Sequence, residues 1–177
     1  MQLVFFGNGP FARAPLQAFA DSKHSIELVV ARPDLPSGKH QRVEPGPLAA
    51  LARRLGLPLE QPPDANAPDF VARIRALKPD LLVVVDFGQI LSADLLDAAR
   101  FGGVNIHASL LPRYRGSAPI VWAIFRGETH SGVSIIQMTA RLDAGGVILQ
   151  EAVPIGPNQT RSEEHTSELQ SPDHLVC

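Results

Sequence analysis

Leu81-Leu82-Val83-Val84-Val85 is an unbroken apolar run between Pro79-Asp80 and Asp86-Phe87-Gly88. It is far shorter than the roughly 20 residues a membrane helix needs. A run with no polar alternation is that of a strand covered on both faces, as in parallel sheets flanked by helices. The segments around it fit that frame. Pro68–Lys78 is predicted as an amphipathic helix with Phe70, Ile74 and Leu77 on one stripe, and Ser92–Ala99 as a helix with Ser92 as its N-cap. Upstream, Gln2–Phe6 is a strand, the turn Gly7-Asn8-Gly9-Pro10 follows, and a helix begins near Pro15. Ile26–Ala31 is a β-branched strand, and residues 32–46 form a long Pro/Gly/charged loop. Pro47 opens a helix that ends before Gly56. Downstream come strand Gly103–Ala108 and helix Ala118–Arg126, whose Ile120, Val121, Trp122 and Phe125 read as core-facing. Strands Val133–Met138 and Val147–Val153 follow. The connection between those two is too short for a helical crossover, so they pair antiparallel. The expected fold is α/β: a doubly wound, mostly parallel, Rossmann-like sheet with an antiparallel strand pair near the C-terminal end.

The 177 residues, 45% hydrophobic and 19% charged, suit one globular domain. The N-terminus lacks the basic and small-residue features of a secretory signal, so a cytoplasmic protein with no membrane segment is expected. The single cysteine, Cys177, excludes an intramolecular disulfide. A net charge of −2 does not suggest a general nucleic-acid binder. From Arg161 the character changes: Arg161-Ser162-Glu163-Glu164-His165-Thr166-Ser167-Glu168-Leu169-Gln170-Ser171 is polar and without a core-facing period. It resembles the translation of a sequencing-library adapter. Residues 161–177 are therefore set apart as a non-native tail, and 1–160 are taken as the domain.

In doubly wound sheets ligands sit beyond the carboxyl ends of the strands. There, Gly103-Val104-Asn105-Ile106-His107-Ala108 puts Val104 and Ile106 on one face and Asn105 and His107 on the other. Two adjacent polar groups at an interior strand end are costly to bury without partners. From spacing alone two readings stand level: backbone hydrogen bonds satisfy the pair, or the pair serves a site. Asp143, on a Gly-flanked turn, is a carboxylate that the fold can bring to the imidazole. Gly7-x-Gly9-x-x-Ala12 fits a dinucleotide fingerprint loosely, and Arg32 would suit a 2′-phosphate, which supports an NADP-dependent oxidoreductase as a weaker alternative. Outside the tail no His/Cys/Asp group has metal-ligand spacing, so no metal is expected.

The stretch Asn105-Ile106-His107-Ala108-Ser109-Leu110-Leu111-Pro112-Arg113-Tyr114-Arg115-Gly116 closely resembles the signature of methionyl-tRNA formyltransferases. Phe5-Phe6-Gly7-Asn8-Gly9-Pro10-Phe11-Ala12, Gly88-Gln89-Ile90-Leu91 and Gly132-Val133-Ser134-Ile135-Ile136-Gln137-Met138 match the family in order and spacing. The resemblance covers residues 1 to about 156. It implies a catalytic domain, incomplete at its C-terminal end, that carries a formyl group from 10-formyltetrahydrofolate to the α-amino group of initiator methionyl-tRNA. It implies a monomer whose C-terminal tRNA-binding domain is absent from this chain. Asn105, His107 and Asp143 take the positions of the family's catalytic trio. Ser109, Leu110, Leu111, Pro112 and Gln89 take folate-contacting positions. Arg32, Lys39 and Arg42, in the long loop, take the position of a tRNA-contacting segment. Arg113 and Arg115 read as support for the folate loop ahead of nucleic-acid contact.

The trio would work without a covalent enzyme intermediate. Asn105 and protonated His107 would donate to the developing oxyanion, with Asp143 holding and charging the imidazole. Asp86-Phe87 departs from the small residue and tyrosine common in the family, and Gly146 from a second acid. Glycinamide ribonucleotide formyltransferase and the hydrolase domain of formyltetrahydrofolate dehydrogenase share the same residue logic and are the nearer alternatives. An inactive truncated chain is the non-enzymatic one.

Overall fold

The computed structural model describes residues 1–34, 36–37, 42–139 and 141–156. Six strands and three helices make up the first half of the described chain: β1 (Gln2–Gly7), α1 (Arg13–Ala20), β2 (Ser25–Val30), the short β3 (Pro36–Ser37) and β4 (Arg42–Val43), α2 (Pro47–Arg54), β5 (Leu59–Glu60), α3 (Pro68–Leu77) and β6 (Leu81–Val85). Then come α4 (Ala93–Leu96), β7 (Gly103–His107), α5 (Pro119–Phe125), β8 (His130–Gln137) and β9 (Val147–Pro154). A seven-stranded sheet runs β5-β2-β1-β6-β7-β8-β9. Every pairing from β5 to β7 is parallel, and β8 and β9 are antiparallel to their neighbours. This is the expected doubly wound sheet with its antiparallel pair.

The apolar run does what its composition requires. Leu82 and Val84 join one core with Phe70 and Ile74 of α3 and Leu95 of α4. Val83 and Val85 join the opposite core with Leu16 of α1 and Leu48 and Leu51 of α2. Phe5 and Phe6 anchor one core each and are fully buried, which favours folding by about 1.5–3 kcal/mol per ring. Prolines open α2, α3 and α5, where the first-turn N–H has no partner in any case.

Several local expectations are corrected. The first helix starts at Arg13 rather than near Pro15, after a single 3-10 turn, Pro10–Ala12. The helix at Ser92 is only Ala93–Leu96, although Ser92 does cap it through Leu95 N at 3.2 Å. The loop 32–46 contains the β3–β4 hairpin, and β5 is a two-residue strand with no apolar period to announce it. Leu77 is 37% exposed, because α3 ends there at left-handed Lys78 (φ 50°). The core-facing reading of α5 holds only for Ile120. The helix packs through Ile120 and Ala123, while Trp122 and Phe125 lie outward, 49% and 79% exposed. These two are three residues apart and pack on each other edge to face, with ring centroids at 5.9 Å.

The stem of the long loop is tied down. Asp34 Oδ1 accepts from Gly46 N (3.1 Å) and Gln61 Nε2 (2.8 Å), and its Oδ2 accepts from Arg53 (3.2 Å). Burial works to raise the Asp34 pKa, but the hydrogen bonds from Gln61, Gly46 and Arg53 outweigh it and hold the carboxyl below its ordinary value of 3.8. A depressed folded-state pKa stabilises above the unfolded value and is lost as pH falls through the folded one. The stability gap between wild type and Asp34→Asn should therefore be full at pH 6 and shrink as pH drops below about 3.8. Urea unfolding across that range measures it, and a gap independent of pH would refute the stem assignment.

Candidate active site

Strand order reverses between β1 and β6: β2 and β5 lie on one side, β7 to β9 on the other. The cavity lies beside this reversal, over the carboxyl ends of β6 and β7. It has a volume of about 360 Å³, within the range of small-molecule sites. Its wall is mostly apolar (Phe11, Phe87, Leu91, Ile106, Ile120, Met138, Leu142), with Asn105, His107 and Asp143 as a polar cluster.

The trio is built by strand alternation and one turn. Val104 and Ile106 pack toward the α1–α2 core, which sends Asn105 and His107 to the cavity side. Asp143 arrives from the β8–β9 connection at φ 46°, a left-handed conformation that aspartate tolerates. That turn is held against β8: Gln137 N donates to Gly146 O at 2.9 Å. A Cβ at Gly145 would stand 1.6 Å from Gln137 O, so only glycine permits this approach.

Asp143 is the hub. Its Oδ1 accepts from Asn105 Nδ2 (3.2 Å) and its Oδ2 from Gly116 N (2.8 Å). His107 Nδ1 faces Oδ2 at 3.7 Å, an ion-pair contact too long for a direct hydrogen bond. The other ring nitrogen, Nε2, lies 2.9 Å from the Tyr114 carbonyl. A carbonyl only accepts, so Nε2 carries a proton and donates it. Nε2 is thus engaged by the backbone, while Nδ1 faces Asp143 without a direct hydrogen bond. The His107 and Asp143 side chains are 7% and 4% exposed. Of five non-glycine residues with positive φ among those described, four border this site: Asp86, Tyr114, Ala118 and Asp143. Such conformations persist where surrounding contacts over-determine them.

The other expected contacts are placed differently. Ser109, Leu110, Leu111 and Pro112 do not line the cavity. Ser109 and Leu111 are buried, and their loop is clamped from behind. Ser134 Oγ donates to Ser109 O (2.5 Å) and accepts from Leu111 N (3.0 Å), while Gln150 Nε2 bonds both Ser134 Oγ and Leu111 O at 2.8 Å. Ser134→Ala should cost about 1–3 kcal/mol in urea unfolding, since it strands buried partners; a cost below about 0.5 kcal/mol, the level of an ordinary surface change, would deny the clamp. Gln89 lies in the wall, but its amide is committed to Ala65 N (2.9 Å) and Pro63 O (3.0 Å), so it closes a loop. Arg32 is exposed with its guanidinium 3.2 Å from where a Cβ at Gly88 would sit, at the cavity rim. Lys39 lies outside the described residues, as does the side chain of Arg42. Arg113 is paired with Glu128. Partners missed in the sequence, the Tyr114 carbonyl and Gly116 N, are backbone groups that no residue type could signal.

Two further observations bear on the alternatives. A Cβ at Gly9 would lie 2.1 Å from Asp86 Oδ2, so a carboxylate covers the turn where a dinucleotide pyrophosphate would need to approach. Among the described residues no three His, Cys, Asp or Glu side chains gather as metal ligands, and no helix is long and apolar enough to cross a membrane.

Residues 1–176 match the family model described as formyl transferase, a match that runs into the segment set apart by composition. The methionyl-tRNA formyltransferase of Geobacter metallireducens is 43% identical over 165 residues, covering 93% of this chain and 53% of that protein. That of Moorella thermoacetica is 46% identical with the same coverage. The chain thus spans about half the length of these curated relatives. The phosphoribosylglycinamide formyltransferase structure from Bacillus halodurans superposes with a TM-score of 0.73 at 22% identity, over 96% of this chain and 88% of that one, which speaks for the fold. Sheet, cavity and family match agree: the chain belongs to the formyl transferase family.

Proposed function

We propose that the chain is the catalytic part of a cytoplasmic, monomeric enzyme that transfers a formyl group from 10-formyltetrahydrofolate to the α-amino group of initiator methionyl-tRNA. The observation that carries this is the Asn105–His107–Asp143 cluster opening on a largely apolar cavity. The relatives of known name support the choice of acceptor.

The residues present fit the folate. Phe87, Leu91 and Met138 offer apolar walls to a flat ring system, and the polar cluster lies at one side. When bound, the folate supplies an activated formyl carbon. The protein's own part is positioning and proton handling. Asn105 gives one Nδ2 proton to Asp143 and keeps the other for charge developing on a carbonyl oxygen. His107, with Nε2–H fixed on Tyr114, presents Nδ1 as the atom that takes up the proton released by an attacking amine. Once charged, it is stabilised by Asp143. His107→Ala is expected to lower turnover by about 10²–10⁴.

The test is formyl transfer to charged initiator tRNA by the protein expressed from its complete reading frame, with glycinamide ribonucleotide as competing acceptor. Preference for the ribonucleotide would replace the acceptor assignment while retaining the chemistry, and no transfer to either would defeat both.

A further inference from the structure

On the outer side of the loop that holds the trio lies a shallow hollow of about 450 Å³, lined by Arg113, Tyr114, Arg115, Trp122 and Arg126. We infer that this hollow binds a single-stranded RNA nucleotide, its base on Trp122 and its phosphate on Arg115 and Arg126. The inference rests on the proposed acceptor: the nucleotide would belong to the RNA end that carries the amine.

Three features point to that chemistry. First, three guanidiniums face one carboxylate. Arg113 is paired with Glu128, and among the described residues neither Arg115 nor Arg126 forms an ion pair. The surplus positive charge suits a phosphodiester, and guanidiniums match its oxygens in geometry. Second, the aromatic groups are braced. Trp122 is half-exposed yet held edge to face by Phe125 at 89°. The Tyr114 ring lies 5.6 Å from the Arg113 guanidinium and 5.7 Å from that of Arg126. An exposed, braced indole beside guanidiniums without carboxylate partners is the pairing that single-stranded nucleic acids use for base and backbone. Third, the position is right. The Tyr114 carbonyl holds His107 Nε2, and Gly116 N holds Asp143, so the outer face is one peptide from the reacting groups. An apolar peptide would leave two guanidiniums uncompensated.

The experiment measures binding of a fluorescent four-nucleotide single-stranded RNA by anisotropy, using the protein from its complete reading frame. Trp122→Ala should weaken binding by about 5- to 100-fold, with Trp122→Phe retaining most of it. Arg126→Gln should lower the slope of log K against log salt by about 0.7. In formyl transfer, both should raise KM for charged tRNA while kcat and the folate KM stay constant. Wild-type affinity and salt slope in both Trp122→Ala and Arg126→Gln would overturn the inference, as would failure of the wild type to bind the RNA. If variant-sensitive RNA binding survives but no formyl is transferred, the hollow stands and the proposed reaction falls. Normal transfer with unchanged KM in both variants retains the reaction and removes the hollow from it.

Discussion

Asp143→Asn is expected to lower formyl transfer by about 10³-fold, in the middle of the range for groups that manage protons in the transition state. The isostere keeps volume and the left-handed turn, which asparagine also tolerates. It replaces one carboxylate oxygen by a donor. Both oxygens now accept: Oδ1 from Asn105 and Oδ2 from Gly116 N. Whichever way the new amide turns, an N–H meets an N–H, either at Asn105 or at Gly116. The charge that would stabilise a protonated His107 also disappears. The loss should therefore appear in kcat, and the opposed N–H groups should in addition lower the folding midpoint. Single-turnover kinetics on charged tRNA, paired with urea unfolding, separates the two. Activity within threefold of wild type would remove Asp143 from the mechanism.

Asn105→Ala should lower kcat by about 10²–10³, the usual effect of losing one preset oxyanion donor. Asn105 lies mid-sheet, opposite Val84 and Ile136, so its amide is held by strands rather than by a loop. The variant leaves Asp143 Oδ1 without its partner, so some loss of stability will accompany the loss of rate. Asn105→Asp separates the effects: it keeps the volume but sets a second carboxyl group against Asp143 Oδ1, where the two share a proton, so the amide donor is lost without opening a cavity. Equal kcat/KM for Asn105→Ala and wild type would show that charge is stabilised elsewhere. Because both residues act on one cluster, the double variant should lose far less than the product of the single losses.

The sheet, and the shared face of Asn105 and His107, were legible from residue order alone. Leu81–Val85 demanded cover on both faces, and the alternation Val104-Asn105-Ile106-His107 divided one strand between core and cavity. Side-chain periodicity is a local property, so a linear chain displays it. Asp143 was legible only as a carboxylate on a glycine-flanked turn; its contact with Asn105, 38 positions away, is a product of the β7–β8–β9 pairing. The tertiary structure alone decided what the backbone would do. It gave His107 to the Tyr114 carbonyl, turned Gln89 away to the Pro63–Ala65 loop, buried Ser109 and Leu111 behind the cavity, and faced Trp122 outward. Every residue carries the same carbonyl and, proline apart, the same N–H, so their partners are chosen by packing, which no reading of side-chain type can supply.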